Sequence, residues 1–487
     1  MSGPGGLALD ARDPRPLYVQ IADGLAGAIE RGEFAPNARL PAIRALAREL
    51  DVASITVNAA YDMLSARGRV IARAGRGTFV APPRSHERPF ATKWEPDLGR
   101  VARAERMEGV FDQLARARAP GAISLATGHP APETFPLADF GRAMARTFAE
   151  DDAAAMQYRA NTGDPALCET LARSLRARGC AATGAEIIIS SGAQQAADLI
   201  ASVVLGDVGA VVAAEAPTYA GTLGVFDARG ARYAEVRSDA EGVRVDDVER
   251  VFAEERPRLF YVAPIAVNPT GAVLPARRAK AIVALARRYD VLILEDQTGW
   301  VFTYGGAAPP PLAAYDTDGR VVVMESLSKS IFPALRIGYL FVRGSMRTSI
   351  EAAKVRTDSF TSTLTQRALW RFLESPDYPR HLKAARALYH RRRDAFIDLL
   401  CTALPWAQVR PPEAGTNVWL PLPSRISTQA AFDACAREGV LVMPSEPYYP
   451  TRTGPPALRL SFGDLDEATM RTGIDRLARA LVRCGES

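Results

Sequence analysis

The sequence predicts a multidomain protein, in which a small α+β winged helix–turn–helix unit precedes a larger α/β domain with a mostly parallel central sheet. The chain has 487 residues, which is more than one ordinary domain needs. Near its start, apolar residues recur at helical spacing and two short β runs follow them. From Gly121 onward, short apolar strands alternate with helical segments, which is typical of a parallel sheet covered by helices.

The small unit is predicted over residues 14–82. The runs "PLYVQIADGLAGAIERG" and "LPAIRALAREL" each place their apolar residues on one helical face. A third helix, "SITVNAAYDMLSARG", begins at a plausible N-cap, Ser54. The runs "VIA" and "TFV" then flank "RAGRG", which predicts a hairpin with glycines at its tip. The predicted order is helix, helix–turn–helix and β wing.

A change of composition separates the two units. Residues 83–120 open with prolines and polar residues, and we interpret them as a linker. The large domain is predicted over residues 121–487, where helical segments alternate with strand runs such as "EIIIS", "AVVAA", "LFYVA", "VLILED" and "VVVME".

The positive charge of the chain is unevenly distributed. The net charge is only +5, but eleven arginines face seven acidic residues between Ala11 and Ser85. This excess suits a nucleic-acid-binding module, although a solvated basic surface has the same composition. The five cysteines lack CxxC spacing and the four histidines are dispersed, so we expect a reduced compartment, no disulfide and no metal cluster. Since we recognise no signal peptide or membrane span, we expect a soluble cytoplasmic protein.

Several distinctive residues stand where predicted strands end, and ligands of open α/β sheets bind at the carboxyl ends of strands. The run "SSGAQQAADLI" opens a helix after "EIIIS", and the amides of a helix start suit a phosphate. Asp296 ends "VLILED", Asn268 begins the turn "NPTG", and Lys329 stands between two serines in "ESLSKS". Taken singly, each has a structural alternative: an ordinary helix start, a cap, a turn or a surface lysine.

Taken in order, these residues resemble the fold-type-I aminotransferases, which use pyridoxal 5'-phosphate (PLP). The resemblance extends from about Gly121 to the C-terminus and rests on Gly192-Ala193-Gln194, Pro217-Thr218-Tyr219, Asn268-Pro269-Thr270-Gly271, Asp296, Ser326-Leu327-Ser328-Lys329, Arg336 and Arg459. It implies the α/β PLP-dependent transferase fold of type I, PLP as the cofactor and a homodimer formed by the large domains.

The resemblance also implies a role for each residue. Lys329 would form a Schiff base with the PLP aldehyde, and Asp296 would keep the pyridine nitrogen protonated. Asn268 would donate to the ring hydroxyl, and Tyr219 would stack on the ring. The phosphate would be held by a set of polar groups, namely Ala193, Gln194, Ser326, Ser328 and Arg336. The remaining matches are to an arginine that binds the carboxylate of a substrate or effector, Arg459, and to a tyrosine that reaches the partner's phosphate in a dimer, Tyr158.

One position departs from this pattern. Such enzymes carry a tyrosine two or three residues after the aspartate, near the ring hydroxyl. In the run "EDQTGW", Thr298 and Gly299 occupy those places, and Trp300 is the nearest aromatic residue. We therefore expect PLP binding to be retained but do not expect efficient transamination.

The small unit resembles the winged helix–turn–helix of GntR-type repressors, through "LPAIRALAREL", "TVNAAYDML" and "GRGTFV". The resemblance implies that Arg44 contacts a DNA phosphate and that Arg76 in the wing reaches the minor groove. The helix that begins near Ser54 would enter the major groove and present Ser54, Ile55, Thr56 and Asn58 to the bases. The family often has an arginine at the position of Ile55, so this departure affects the operator sequence and not the fold.

Together the two halves resemble the MocR subfamily of GntR regulators, in which an aminotransferase-like domain serves as a sensor. We therefore expect a PLP-binding transcription regulator that binds double-stranded operator DNA. It would sense PLP or an amino compound through an aldimine at Lys329. One alternative is an active PLP-dependent aminotransferase with an accessory DNA-binding domain. A scaffold that has lost PLP is a third, and the presence of Lys329, Asp296 and Arg336 argues against it.

Overall fold

The computed structural model describes residues 9, 13, 15–30, 33–35, 38–66, 69–73, 77–81, 106, 115, 120–158, 160–206 and 208–486. The chain divides into two compact units, Met1–Asp97 and Leu98–Ser487. Among the described residues, no helix is both long enough and apolar enough to cross a membrane.

The first unit contains the three helices and the hairpin that the sequence predicts. The helices are α1 (Leu17–Glu30), α2 (Ile43–Glu49) and α3 (Ser54–Ala66), and the antiparallel strands are β1 (Val70–Arg73) and β2 (Gly77–Val80). Their apolar faces form one core, which includes Ile21, Leu25, Leu46, Val57 and Leu64. The winged helix–turn–helix arrangement is thus confirmed. Arg76, the predicted wing residue, lies outside the described residues.

A large mixed sheet organises the second unit. Its strands follow the short strand β3 (Ile123–Ser124) in the chain, and they are β4 (Ile187–Ser190), β5 (Val211–Ala216), β6 (Arg232–Asp239), β7 (Gly242–Val243), β8 (Leu259–Val262), β9 (Leu292–Asp296), β10 (Val321–Ser326) and β11 (Gly338–Phe341). Their order in the sheet is β4-β11-β10-β9-β8-β5-β6-β7. The five central strands, from β10 to β6, run parallel. Strand β11 is antiparallel to both of its neighbours, and β7 is antiparallel to β6.

Helices cover both faces of this sheet. Alternate residues of a strand point to opposite faces, so a strand that is apolar throughout needs a core on each side. In β10, Val321 and Val323 enter one core, whereas Val322 and Met324 enter the other. The helices of the second unit are α4 (Leu137–Glu150), α5 (Pro165–Ala177), α6 (Ala193–Val204), α7 (Ala220–Ala228), α8 (Val245–Glu255), α9 (Ala276–Tyr289), α10 (Ser345–Thr357), α11 (Thr363–Leu373), α12 (Asp377–Ala403), α13 (Thr428–Arg437) and α14 (Glu467–Glu486).

The C-terminal part of the second unit builds a smaller layer. A three-stranded antiparallel sheet has the order β12-β15-β14, and its strands are β12 (Asn417–Pro421), β14 (Met443–Pro444) and β15 (Ala457–Ser461). Strand β13 (Val440–Leu441) pairs with β3 in parallel. A third core, which includes Phe396, Val418, Leu460 and Ile474, packs this sheet against helices of the same layer. Arg459 lies on the central strand of this small sheet.

Of the predicted linker, residues 83–120, the structure describes only residues 106, 115 and 120. Arg106 is 6% exposed. Its guanidinium donates two hydrogen bonds to the Asp227 carboxylate and one each to the carbonyls of Tyr449 and Pro450. The domain limits that we assign from the sequence remain predictions.

Candidate functional site

A candidate anion-binding cradle lies where β4 meets helix α6. Arg336 donates from Nη2 to the carbonyl of Ser191 at 2.8 Å and from Nη1 to Ser328 Oγ at 3.5 Å. Gly192, with φ +102°, precedes the helix, and a Cβ on it would lie 3.1 Å from Arg336 Nη2. Arg336 itself has φ +50°, an uncommon conformation for a residue with a side chain. An exposed arginine and the free amides of a helix start therefore converge on one point, which suits a phosphate.

The other residues predicted around the phosphate surround this cradle. Ala193 and Gln194 form the first turn of α6, and the side chain of Gln194 donates to the carbonyl of Gly221 at 2.8 Å. Ser326 is buried at the end of β10, and its Oγ accepts from the amide of Ser328 at 3.3 Å. Because the Gln194 side chain is bonded elsewhere, the backbone amides of this turn are the groups that remain for an anion.

A buried acid stands at the carboxyl end of β9. Asp296 is 6% exposed, and its Oδ2 accepts from the Tyr261 hydroxyl at 2.9 Å. Its Oδ1 accepts from the amide of Thr298, also at 2.9 Å. Burial raises the pKa of Asp296, and these two hydrogen bonds oppose the rise. A protonated ring nitrogen facing the carboxylate would supply the positive charge that favours the ionised form.

Asn268 offers an independent test of whether a ligand fits here. Its Oδ1 is buried and has no hydrogen-bond partner in the described part of the chain, and the same holds for Thr218 Oγ1. Nearly all buried polar atoms in proteins have a partner, so orphaned atoms indicate that a bound group completes the site. The orphaned carbonyl oxygen would accept from a donor such as a hydroxyl, and the Asn268 amide nitrogen can donate to a ring oxygen, so the residues present fit a polar cofactor of the predicted kind.

Lys329 lies near a second basic group, Arg459. Its Nζ donates to the carbonyl of Gly128. Burial and the nearby positive charge of Arg459 lower the pKa of Lys329 to about 8. A Cβ on Gly128 would lie 2.4 Å from Arg459 Nη2, so Gly128 allows the backbone to pass between the two cations.

Arg459 is a buried cation whose hydrogen-bond partners in the described structure are all neutral. It is 6% exposed. Its Nε and Nη2 donate to Asn417 Oδ1 at 3.1 and 2.7 Å. Its Nη1 donates to the carbonyl of Ala126 at 2.8 Å and to the Tyr448 hydroxyl at 3.2 Å. A buried cation without an anion favours a ligand that carries a carboxylate.

The two predicted tyrosines differ in their surroundings. Tyr219, which precedes helix α7, is 39% exposed, and its ring lies so close to Gly221 that a Cβ there would be 2.6 Å from the ring. Tyr158 is 83% exposed and stacks on Phe360 with ring centroids 5.0 Å apart. No recorded contact joins Tyr158 to the described cofactor residues of its own chain, so a role at a phosphate would require a second copy.

The nearest aromatic residue after Asp296 points to other partners. Trp300 Nε1 donates to Glu325 Oε1 at 2.8 Å. The Arg178 guanidinium lies 3.9 Å from the centroid of the Trp300 ring. Trp300 therefore does not replace the tyrosine that such enzymes carry there, and Thr298 and Gly299 have no phenol.

Three residues of this site were not predicted from the sequence. Of the three, only Tyr261 had a signal in the sequence. It is a tyrosine within an otherwise apolar strand, and a buried tyrosine hydroxyl usually needs a hydrogen-bond partner. Asn417 meets Arg459 across the register of β12 and β15. Asp464 lies just after β15, and its charge raises the pKa of Lys329. Asn417 and Asp464 stand in no recognisable motif, because only the folded structure brings them near Arg459 and Lys329.

The predicted DNA-contacting residues are mostly exposed. Arg44 on α2 is exposed, and so are Ser54, Ile55 and Asn58 on α3, with Ile55 78% exposed. Thr56 is half-buried. Asn58 donates to Asp62 Oδ2 at 3.0 Å, which leaves its second N–H and its Oδ1 for contact with a base.

Comparison with known proteins gives two family matches. The aminotransferase class I and II model matches residues 120–477, and the model of bacterial regulatory proteins of the gntR family matches residues 17–80. The HTH-type transcriptional regulator TauR of Rhodobacter capsulatus is 32% identical, over 96% of each chain. The probable rhizopine catabolism regulatory protein MocR of Rhizobium meliloti is 27% identical, over 98% of this chain and 96% of that protein.

A solved structure supports the fold of the large unit. LysN, an α-aminoadipate aminotransferase from Thermus thermophilus complexed with N-(5'-phosphopyridoxyl)-L-leucine, is 29% identical with a TM-score of 0.74. The likeness covers 81% of this chain and the whole of LysN. The predicted α/β transferase fold of type I is thus confirmed.

The lowered pKa of Lys329 predicts a pH-dependent gain in stability when its charge is removed. In cofactor-free protein, Lys329→Met should raise the free energy of unfolding at pH 7 by about 1–3 kcal/mol. Below pH 8 the lysine is charged in both the folded and unfolded states, so the gain is complete. Between pH 8 and 10.5 only the unfolded state stays protonated, so wild-type stability rises and the gain shrinks. Urea denaturation across pH 7 to about 10 measures this difference.

The matched control is Lys383→Met, which removes an exposed lysine. It should change stability little at any pH, since a surface charge has a small desolvation cost. A gain for Lys329→Met that did not vary with pH would show that packing, and not charge, is responsible.

Proposed function

The chain belongs to the aminotransferase class I and II family, and because it also carries a gntR-type DNA-binding unit we propose that it is a PLP-binding transcription regulator. We further propose that the large unit responds to an amino compound that reaches the PLP site. The function therefore joins two parts, a DNA reader and a chemical sensor.

This conclusion rests on how much of the chain is covered by the similar regulators and how much by the similar aminotransferase. TauR and MocR, named as regulators, match this chain over nearly its whole length. The whole of LysN, which is named as an aminotransferase, matches only 81% of this chain. The gntR match, residues 17–80, belongs to the N-terminal unit. The architecture is that of MocR-type regulators.

The cofactor is PLP, as the LysN complex and the orphaned atoms of the site support. When bound, PLP supplies an aldehyde that condenses with amines and a pyridine ring that withdraws electrons. We propose that Lys329 is its attachment point. The lowered pKa of Lys329 supports this role, because the uncharged amine is the nucleophile and burial increases its fraction near neutral pH.

The remaining cofactor residues would orient the PLP ring and bind its charged groups. Asp296 would hold a proton on the pyridine nitrogen, with Tyr261 and Thr298 keeping the carboxylate in one orientation. Asn268 would donate to the ring hydroxyl, and Tyr219 would cover one face of the ring. Arg336 and the first turn of α6, with Ser326 and Ser328, would bind the phosphate through charge-assisted hydrogen bonds.

Arg459 would bind the carboxylate of an effector that is an amino acid. A carboxylate would compete with neutral partners, Asn417 and Tyr448, for the same guanidinium. Binding would therefore rearrange contacts around the strand β15. An effector can change DNA affinity only through a difference in its affinity for two conformations, and this rearrangement provides such a difference.

We propose that the protein acts as a homodimer of its large units. The exposed pair Tyr158 and Phe360 supports this, because stacked aromatic rings left in solvent are more often part of an interface. Two reader units per dimer would occupy two half-sites and increase apparent affinity through effective concentration. Light scattering at micromolar concentration should give the dimer mass, and a monomer mass would contradict this.

In the reader, Arg44 would contact a phosphate, while Ser54, Ile55, Thr56 and Asn58 would face the bases. Arg76 would reach the minor groove from the wing. Since operator DNA is its partner, the protein would act in the cytoplasm.

Reduction with borohydride should fix PLP to Lys329. Peptide mass spectrometry should find the reduced cofactor on this residue. Lys329→Ala should lose both the adduct and the visible absorption band of bound PLP. Lys383→Ala, which removes an exposed lysine, should keep both. An adduct on a different lysine of the wild-type protein would contradict the assignment.

Arg44→Ala should weaken binding to operator and random DNA alike, because a phosphate contact carries no sequence information. The slope of log affinity against log salt should become shallower by about one. Arg425→Ala, at an exposed position of the large unit, is the control and should leave the slope unchanged. Fluorescence anisotropy at several salt concentrations measures both variants, and a wild-type slope for Arg44→Ala would rule out the phosphate contact.

Catalytic turnover should be slow or absent, because residues 298–300 supply no phenol to control the ring hydroxyl. An amino acid that changes the absorption of bound PLP should be incubated with a range of keto acids, and new amino acid should be measured. We expect at most about one equivalent per site. Steady turnover near ~10 per second, the median for enzymes, would instead favour an active aminotransferase with an accessory DNA-binding domain.

A further inference from the structure

A second cleft, of about 620 Å³, lies outside the cofactor site. Its volume is in the range of small-molecule sites, roughly 300–1,000 Å³. None of the described residues that we assign to the cofactor or to the effector carboxylate lines it. Helix α5 and the segment between α11 and α12 form its outer walls, and Trp300, Glu325 and Tyr339 form part of its lining.

The notable group in this cleft is a buried carboxylate. Glu325 is 6% exposed and lines the cavity. Its Oε1 accepts from Trp300 Nε1 at 2.8 Å, and its Oε2 accepts from the Tyr339 hydroxyl at 2.6 Å. Both donors are neutral. Each carboxylate oxygen can accept about two hydrogen bonds, so Glu325 retains acceptor capacity on both oxygens.

The charges around Glu325 do not balance. The half-buried Arg178 places its positive charge near Glu325. It donates to Gln297 Oε1 at 2.7 Å and stacks on Trp300, and in the described structure no ion pair joins it to an acid. A second buried acid, Glu295, lies in the same region and accepts from the amides of Leu312 and Ala313. One cation therefore serves two carboxylates, and burial raises the pKa of Glu325, which reflects a disfavoured negative charge.

We propose that this cleft binds a small organic cation, whose ammonium group pairs with Glu325 and whose apolar body packs on Leu171, Leu327 and Tyr378. The ammonium would supply the missing positive charge and donate to the free lone pairs of the carboxylate. Trp300 and Tyr378 add aromatic walls, which attract cations. This site does not depend on the proposed regulatory function, since it requires neither PLP chemistry nor DNA.

The probe is N,N-dimethylphenethylammonium, a tertiary amine that cannot condense with the PLP aldehyde. Isothermal titration of the full chain saturated with PLP should give one site per chain. The uncharged analogue 4-phenyl-2-butanol, of similar shape, should bind at least about tenfold more weakly, because it can donate a hydrogen bond but lacks the positive charge that pairs with the carboxylate. Equal affinity for the two compounds would overturn the role of charge, and absence of probe binding would overturn the site.

Two variants place the probe in the cleft. Glu325→Gln should weaken binding about tenfold or more, whereas Glu254→Gln, which removes an exposed carboxylate elsewhere, should bind as the wild type does. Ser174 is an exposed residue of α5 that lines the cleft. Ser174→Trp should block binding because the larger side chain fills the cleft, while Glu325 is left unchanged. Wild-type affinity in both Glu325→Gln and Ser174→Trp would refute the proposal. Binding lost in Lys329→Ala but kept in Glu325→Gln would assign the probe to the cofactor site instead.

Discussion

The position of one antiparallel strand governs the cofactor site. Strand β11 lies between β4 and β10, and its first residue, Gly338, is the register partner of both Ser190 and Ser326. Chain segments that are distant in sequence therefore leave the sheet at one point. A Cβ on Gly338 would lie 2.6 Å from the carbonyl of Glu325 and 2.8 Å from the backbone of Gly192, so only glycine permits this approach. The anion cradle, the serine pair and Lys329 all follow from that register.

Within this framework, the site depends on the balance of buried charge. Two cations, Lys329 and Arg459, lie near each other, and their mutual repulsion adds to the burial that lowers the pKa of Lys329. On the other side, the Asp296 carboxylate is held by neutral donors. Asp296 and Arg459 are thus buried charged groups without an ion-pair partner among the described residues, and the expected cofactor and effector carry the complementary groups, a protonated ring nitrogen and a carboxylate. A ligand that pairs with these buried charges would offset the free-energy cost of burying them. Its binding would therefore stabilise the folded protein, as a sensor requires.

The same principle distinguishes the two clefts. In the cofactor cleft, the unmatched groups are mainly cationic and suit a phosphate and a carboxylate. In the second cleft, the unmatched group is the Glu325 carboxylate, which suits an ammonium ion. Glu325 immediately precedes Ser326 on β10, and Trp300 follows Asp296 by four residues. Two residues that line the second cleft therefore belong to the same chain segments that would hold the cofactor.

By itself, the sequence determined the two-part fold, because helical and strand periodicity and the motif order are local properties of the chain. It also singled out Lys329, Asp296, Asn268, Arg336 and Arg459 as candidate site residues, because their order along the chain resembles that of fold-type-I aminotransferases. The tertiary structure alone decided the partners. Tyr261 reaches Asp296, Asn417 reaches Arg459, and Trp300 turns to Glu325 instead of taking the place of the missing tyrosine. These contacts depend on which strands become neighbours, and no local pattern encodes that long-range pairing.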